Sequence, residues 1–288
     1  AISDWAKRLG LPLALSFRRK DLIRNDHPGY AGDLGLGPNP KLVARVKDAD
    51  LLLVIGARMG ENPTQGYTLL DRTKTAQTLT HIHPGPEELG RVWAPALSAA
   101  ADNSLAALAL SAIKPDRAWN DQGAAAHADF LAFSSPIEVE SAVNMSEVIA
   151  HLTQTLPEDA ILTNGAGNFA AWLHRFHRHQ ARRTQLAPTS GAMGYGYPAA
   201  LGAKATQPSR EVVCIAGDGD FMMSANEMAT AAQYGLGVIV VVVDNGTFGT
   251  IRMHQEREYP TRVIATELKN PDFVKYAEAF GAFAVRCE

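Results

Sequence analysis

The apolar positions of this chain switch repeatedly between two spacings. Residues 11–16, 50–56, 79–82 and 97–100 are short apolar runs of strand length, and the segments between them carry helical spacing. The run 50–56 (DLLLVIG) is continuous and ends in glycine, as expected of a parallel strand buried on both faces. Residues 1–10 read as an amphipathic helix, 40–47 as a helix with Asn39 at its N-cap, and 103–113 as an Ala/Leu-rich helix opened by Asp102 or Asn103. Strands alternating with helices across short loops predict a doubly wound, mainly parallel α/β sheet over 1–113.

The pattern lapses over 114–141, between Lys114-Pro115 and Ser134-Ser135-Pro136, which reads as a linker holding some helix. It resumes over 142–288. Asn144-Met145-Ser146-Glu147 has capping-box spacing ahead of a helix at 148–156. Strands are expected at 160–163, 212–216 and 238–243, with helices at 169–179, 198–206, 224–234 and 271–280. The fold class is therefore α/β, two Rossmann-like doubly wound domains. The first helix begins almost at once, and 282–287 (AFAVRC) reads as strand, so the chain is expected to be an excerpt of a longer polypeptide, cut at both ends.

Composition narrows the function classes. The chain has 288 residues, 46% hydrophobic and 20% charged, which is the balance of a folded protein with a core. A net charge of −3 and a pI near 6.3 give no pull toward nucleic acid or anionic membrane. The one basic cluster, 174–183 (HRFHRHQARR), reads as a solvated helix face. Cys214 and Cys287 each lie in an apolar run, which predicts two buried, reduced thiols. No apolar stretch is long enough to span a membrane and no signal peptide is evident, so a cytoplasmic location is expected.

The chemistry concentrates in residues 212–249, read as strand, Gly-Asp-Gly turn, helix, strand and Asp-Asn-Gly turn. Both turns follow parallel strands at their carboxyl ends, where open α/β sheets bind ligands. Gly217 and Gly219 would let the backbone approach a ligand closely. Asp218 supplies a carboxylate oxygen and Asn245 an amide oxygen. One carboxylate and one amide make a poor all-protein cage, but they suit Mg²⁺ that fills its octahedron with water and phosphate oxygens. A helix starting just beyond Asp218 would add a favourable field for phosphate.

This Gly-Asp-Gly, followed by strand and asparagine, resembles the signature of thiamine-diphosphate-dependent enzymes. Asp244 stands where that family usually has the first of two asparagines, and Asn245 matches the second, metal-ligating one. Residues 189–203 (TSGAMGYGYPAALGA) resemble the family segment under the cofactor's bend. The resemblance implies that Met193 is the apolar wedge and that Gly191 accepts a hydrogen bond from the 4′-amino group. Residues 164–168 (NGAGN) fall where the first diphosphate loop lies, which implicates Gly167 and Asn168. Asp218, Asn245 and the main-chain carbonyl of Thr247 would hold the metal. Gly219, Asp220, Phe248 and Gly249 complete the implied cofactor contacts.

Within that family the likeness is to the acetolactate-synthase group, which 244–260 (DNGTFGTIRMHQEREYP) resembles without gaps. Residues 1–113 would be the middle domain, 114–141 a linker and 142–288 the cofactor domain. Thr250, Ile251 and His254 share one face of a helix and would line the substrate pocket. The group carries Met, Val and Trp there, so a wider and more polar pocket is implied. Gly56-Ala57-Arg58 matches a turn used by flavin-binding members, making FAD a candidate ligand.

The activating glutamate of the family comes from the N-terminal pyrimidine-binding domain of a neighbouring subunit; no glutamate here, Glu227 included, is assigned that role. A homodimer or tetramer is implied, as is inactivity of this chain alone. The expected activity is decarboxylation or carboligation of a 2-keto acid, as a lyase or transferase. The rival is a non-catalytic module of two FAD- or NAD-binding domains, which would need no divalent metal.

Overall fold

The apolar runs become parallel strands, and the helices cover them. The computed structural model describes residues 1–73, 76–115, 118–119 and 121–287, in which the chain divides into two units, Ala1–Phe133 and Ser134–Glu288. In the first unit, helix α1 (Ile2–Leu9) buries Trp5, Ala6 and Leu9 and stops at Gly10, which takes the left-handed conformation. Strands β1 (Leu13–Leu15) and β2 (Tyr30–Asp33) pair in parallel. Helix α2 (Pro40–Lys47) starts as expected, with the Asn39 side chain accepting the Lys41 amide.

A second parallel sheet follows, ordered β3-β4-β5, from β3 (Leu51–Ile55), β4 (Thr78–His83) and β5 (Leu97–Ala100). Helix α3 (Asn103–Ala112) is capped by Asp102, whose carboxylate accepts the Ser104 and Leu105 amides. Helix α4 (Gln122–Phe133) lies in the 114–141 segment and buries Ala126 and Phe130, the latter edge-on to the Tyr30 ring at 4.7 Å. The division at Phe133 thus falls inside that segment. Strand β3 packs on both faces, Leu52 and Val54 against Leu69, Leu70, Leu79 and Trp93 and Leu53 against Trp5 and Leu9, but it lies at the edge of its sheet and Leu51 is half exposed.

In the second unit, helix α5 (Met145–Thr155) opens with Asn144 accepting the Ser146 amide, rather than the reciprocal bond to Glu147 that a capping box requires. Strand β6 (Ile161–Asn164) leads into helix α6 (Phe169–Phe176), which ends earlier than expected. Strand β7 (Gln185–Leu186), helix α7 (Gly196–Thr206) and strand β8 (Val212–Gly217) follow. The expected turn at Asp218 is itself a short helix, α8 (Asp218–Met222). The helix expected at 224–234 is a 3₁₀ turn, Ala225–Glu227, and then α9 (Met228–Tyr234). Strand β9 (Ile239–Val243), α10 (Gly249–Glu258) and α11 (Phe273–Glu278) complete the unit.

Its parallel sheet is ordered β7-β6-β8-β9. Successive strand residues face opposite sides, so one run serves two layers. Val212, Cys214 and Ala216 pack with Tyr197, Ala200 and Leu201 of α7, while Val213 and Ile215 pack with Ile149 of α5 and Leu173 of α6. Fully burying one such aliphatic side chain contributes about 1.5–3 kcal/mol as an upper estimate.

Residues 282–287 form no strand here; Phe283 is almost fully exposed and Cys287 is exposed. The buried-thiol expectation therefore holds for Cys214 and fails for Cys287, which lacks a strand to bury it. No helix among the described residues is long and apolar enough to cross a membrane.

Candidate functional site

After β6 the chain goes first to β7 on one side and then to β8 on the other. That reversal opens a crevice at the carboxyl ends of β6 and β8, the usual ligand position in such sheets. Ile215 of β8 pairs with Asn164 of β6, and Gly217 pairs with Val243 of β9. The loop 165–168, the Asp218 turn and the Asp244–Gly246 turn are thereby brought to one edge.

Asp218 is buried and makes its contacts through one oxygen. Its Oδ2 accepts the Gly246 N–H at 2.9 Å and the Asn270 Nδ2–H at 2.7 Å, and Oδ1 accepts none among the described residues. Asn245 Oδ1 accepts the Thr247 amide at 3.1 Å, and the Thr247 carbonyl accepts the Gly249 amide at 2.8 Å. Each of these two oxygens has a second lone pair to offer. A strap at 266–268 clamps the turn: Thr266 O accepts the Phe248 amide and the Thr247 hydroxyl, and the Leu268 amide donates to Gly246 O. No three His, Cys, Asp or Glu side chains cluster as a metal cage among the described residues. The donors present are one buried carboxylate with neutral oxygens beside it, a set that fits Mg²⁺ completed by water and phosphate.

The glycines of this edge also answer to packing. A Cβ on Gly217 would lie 2.7 Å from the Phe169 ring, and one on Gly219 would lie 2.5 Å from the Phe248 ring. Aromatic rings fill the Cβ positions of both residues, which is itself a reason for glycine there. Phe248 is half-buried over Gly219. Gly191 does face open space, at φ 72°, where a side chain would be strained. Met193, two residues on, is half-buried.

Asp220 is buried, and its Oδ1 accepts the amides of Gly194 at 2.8 Å and Ala166 at 3.2 Å. Burial pushes this carboxyl above the usual range, and the two amides pull it partway back. A Cβ on Gly165 would overlap this carboxylate. Asp220 therefore ties the 165–168 loop to the 191–194 loop through their backbones.

Asn168 and Thr250 meet in a two-bond latch. The Asn168 amide donates to Thr250 Oγ1 at 2.9 Å, and the Thr250 hydroxyl donates to Asn168 Oδ1 at 2.9 Å. Met253, one turn along α10, brings its sulfur 3.8 Å from Asn168 Nδ2. Ile251 is exposed, and the exposed His254 has its Nδ1 2.9 Å from Arg257 Nη2. Thr250 thus shares a face with Met253 against Asn168. Gly167 precedes this latch, its Cβ direction filled by the Phe169 ring at 2.8 Å. A Cβ on Gly249 would lie 3.2 Å from Asn245 Nδ2. Sequence reasoning named Gly165 only within the 164–168 loop and missed Met253 and Asn270; spacing of three from Thr250 could have found Met253, whereas nothing local marks Asn270.

In the first unit, Arg58 is spent on Glu88, at 2.8 Å from Nη2 to Oε1, and Arg91 joins the same carboxylate at 3.1 Å. The cleft lined by Arg58, His81, Glu88 and Trp93 encloses about 10 Å³, room for about one water. The flavin expectation attached to Gly56-Ala57-Arg58 gains no support from this geometry. A Cβ on Gly56 would lie 2.6 Å from Asn103 Nδ2, so that turn packs against the start of α3.

Comparison with known proteins agrees with this architecture. Residues 1–110 match the model for the central domain of thiamine pyrophosphate enzymes, and residues 165–288 match that for their C-terminal TPP binding domain. The acetolactate synthase large subunit of Parasynechococcus marenigrum (strain WH8102) is 30% identical over 98% of this chain and 46% of its own length. A probable acetolactate synthase large subunit of Methanocaldococcus jannaschii is 29% identical over 98% of this chain and 49% of its own length. The chain thus spans about half the length of the curated relatives it matches. A solved Rhodococcus jostii RHA1 thiamine diphosphate-dependent 4-hydroxybenzoylformate decarboxylase shares the fold, with a TM-score of 0.76 at 23% identity over 97% of this chain and 52% of its own. Carrying the two domains in order along its length, the chain belongs to the thiamine pyrophosphate enzyme family and is similar to the acetolactate synthases within it.

Proposed function

We propose that this chain carries the diphosphate and Mg²⁺ site of a 2-keto-acid decarboxylase or carboligase. The observation that supports this most is Asp218, a buried carboxylate with one oxygen tied by two donors and the other left without one, beside the Asn245–Thr247 turn. Thiamine diphosphate, when bound, supplies the nucleophilic carbon and electron sink that loss of CO₂ from a 2-keto acid requires.

The residues of this chain do the rest. Asp218, Asn245 Oδ1 and the Thr247 carbonyl would hold Mg²⁺, leaving room for water and diphosphate oxygens. With the Ala166 and Asn168 amides taken by Asp220 and Thr250, the Gly167 and Phe169 amides at the N-terminus of α6 would face the diphosphate. Met193 would pack under thiamine diphosphate, and the Gly191 carbonyl would accept from its amino group. Asp220 acts through the two loops it ties together. Thr250 is held by Asn168, so it sets the start of α10, while Ile251 and His254 remain on the open surface to meet a keto acid. The activating glutamate comes from a pyrimidine-binding domain of a neighbouring subunit in a homo-oligomer.

The test is a calorimetric titration of the intact protein with thiamine diphosphate, in Mg²⁺ and then in EDTA, for the wild type and Asp218→Asn. The asparagine keeps an acceptor for Gly246 and Asn270, so the fold is retained while the metal-facing charge is lost. Binding should require Mg²⁺ in the wild type and weaken sharply in the variant. Equal binding in EDTA, or an unaltered Asp218→Asn, would remove this reading.

A further inference from the structure

We propose that Asn270 is a positioning residue for Asp218, fixing which carboxylate oxygen faces the cation; this rests on the magnesium reading above. The side-chain amide of Asn270 has two N–H bonds, and two carboxylates take them. Nδ2 lies 2.7 Å from Asp218 Oδ2 and 2.8 Å from Asp244 Oδ1. The Gly246 amide is shared by the same two oxygens, at 2.9 Å and 3.2 Å. Two acidic side chains are thus held side by side by two neutral donors.

That arrangement has two consequences. Pinning Oδ2 from two directions stops the Asp218 carboxylate from rotating, so Oδ1 keeps one orientation. Two carboxylates that share the same neutral donors also gather negative charge at one corner, which favours a divalent cation on the open side. Asn270 can do this because its own position is fixed. It lies two residues beyond Leu268, whose amide bonds Gly246 O, so the strap that closes over the turn also delivers the amide. Neither Asp218 nor the turn bears a sequence mark of this partner. Groups that hold a metal ligand in this indirect way typically change metal affinity by about 10–100-fold when removed.

The experiment titrates Mg²⁺ into the intact protein at saturating thiamine diphosphate, following tryptophan fluorescence, for the wild type, Asn270→Ala and Asp218→Asn. Thiamine diphosphate is then titrated at saturating Mg²⁺. Asn270→Ala should raise the Mg²⁺ dissociation constant about 10–100-fold, while cofactor affinity at saturating Mg²⁺ stays near the wild-type value. A residue with a merely structural role would instead weaken both titrations together. If Asn270→Ala fails to fold, Asn270→Ser, with one donor in place of two, should show the same split with a smaller shift. A Mg²⁺ shift in Asp218→Asn without one in the Asn270 variants overturns the proposal and leaves the metal site standing. No shift in any variant overturns the metal site itself.

Discussion

Substituting Gly219 by alanine probes the packing of the candidate metal turn without reference to any ligand. The added Cβ would lie 2.5 Å and 2.9 Å from two carbons of the Phe248 ring and 3.0 Å from Leu268 Cδ1. Carbon atoms prefer about 3.5–4.0 Å, so the ring must retreat by about 1 Å. It cannot do so freely. The Phe248 amide is bonded to Thr266 O and the Leu268 amide to Gly246 O, so both obstacles sit on the clamped turn and strap. Overpacking of this kind costs about 1–3 kcal/mol. In a unit of this size that corresponds to about 2–4 °C in Tm per kcal/mol. Gly202 is the control. It lies within α7 with nothing within 4 Å of its Cβ direction, so Gly202→Ala should gain about 0.5–1 kcal/mol of stability. Urea and thermal unfolding followed by circular dichroism measure both. Adding Phe248→Leu to Gly219→Ala should recover part of the loss, a coupling that a double-mutant cycle isolates. If Gly219→Ala melts with the wild type, or if Phe248→Leu shows no coupling, the packing account of this glycine is wrong.

Two further outcomes are expected. In the native protein an alkylating reagent should label Cys287 and spare Cys214, whose thiol is buried and pushed up to about 12 by desolvation; peptide mapping that finds Cys214 labelled before unfolding contradicts this. Asp220 has a folded-state pKa raised by burial, so its contribution to stability is present below the ordinary carboxylate value and is lost as pH rises through the raised one. Asp220→Asn keeps an acceptor for Gly194 and Ala166 and lacks this titration. Its Tm relative to wild type should therefore rise from acidic to neutral pH, and a difference independent of pH would refute the assignment.

Much of the cofactor-domain fold is legible in the sequence because β8 lies between two covered faces. With helices on both sides, Val212–Gly217 must be apolar throughout, and an unbroken run is easy to read. The same signal does not tell an edge from a centre: β3 has the unbroken run and both faces packed, yet lies at the edge of its sheet. Strand β2 (YAGD) and the two residues of β7 have no run at all, and tertiary pairing alone makes them strands. At the site, Asp218 and Asn245 are readable because each follows an obvious strand. The glycines are readable only as small residues, and the rings of Phe169 and Phe248 that require them are supplied by other elements. Asp220 resembles a ligand contact by its position in the motif, yet its hydrogen bonds go to backbone 26 and 54 residues away.

The clamp around Asp218 also bears on when the site can form during folding. Its two donors come from 28 and 52 residues farther along the chain, and neither contact is local. Closing such loops costs entropy before any contact rewards it. Pairing of β8 with β9 brings Gly246 near, and the strap must then fold back before Asn270 arrives. The acidic corner is thus expected to form after the sheet, with the Gly246 amide protected from hydrogen exchange later than the amides of β8. A newly made chain would first acquire a buried framework and only afterwards a place for a divalent ion. On the proposed magnesium reading, partial folding would leave the chain compact but without its metal site.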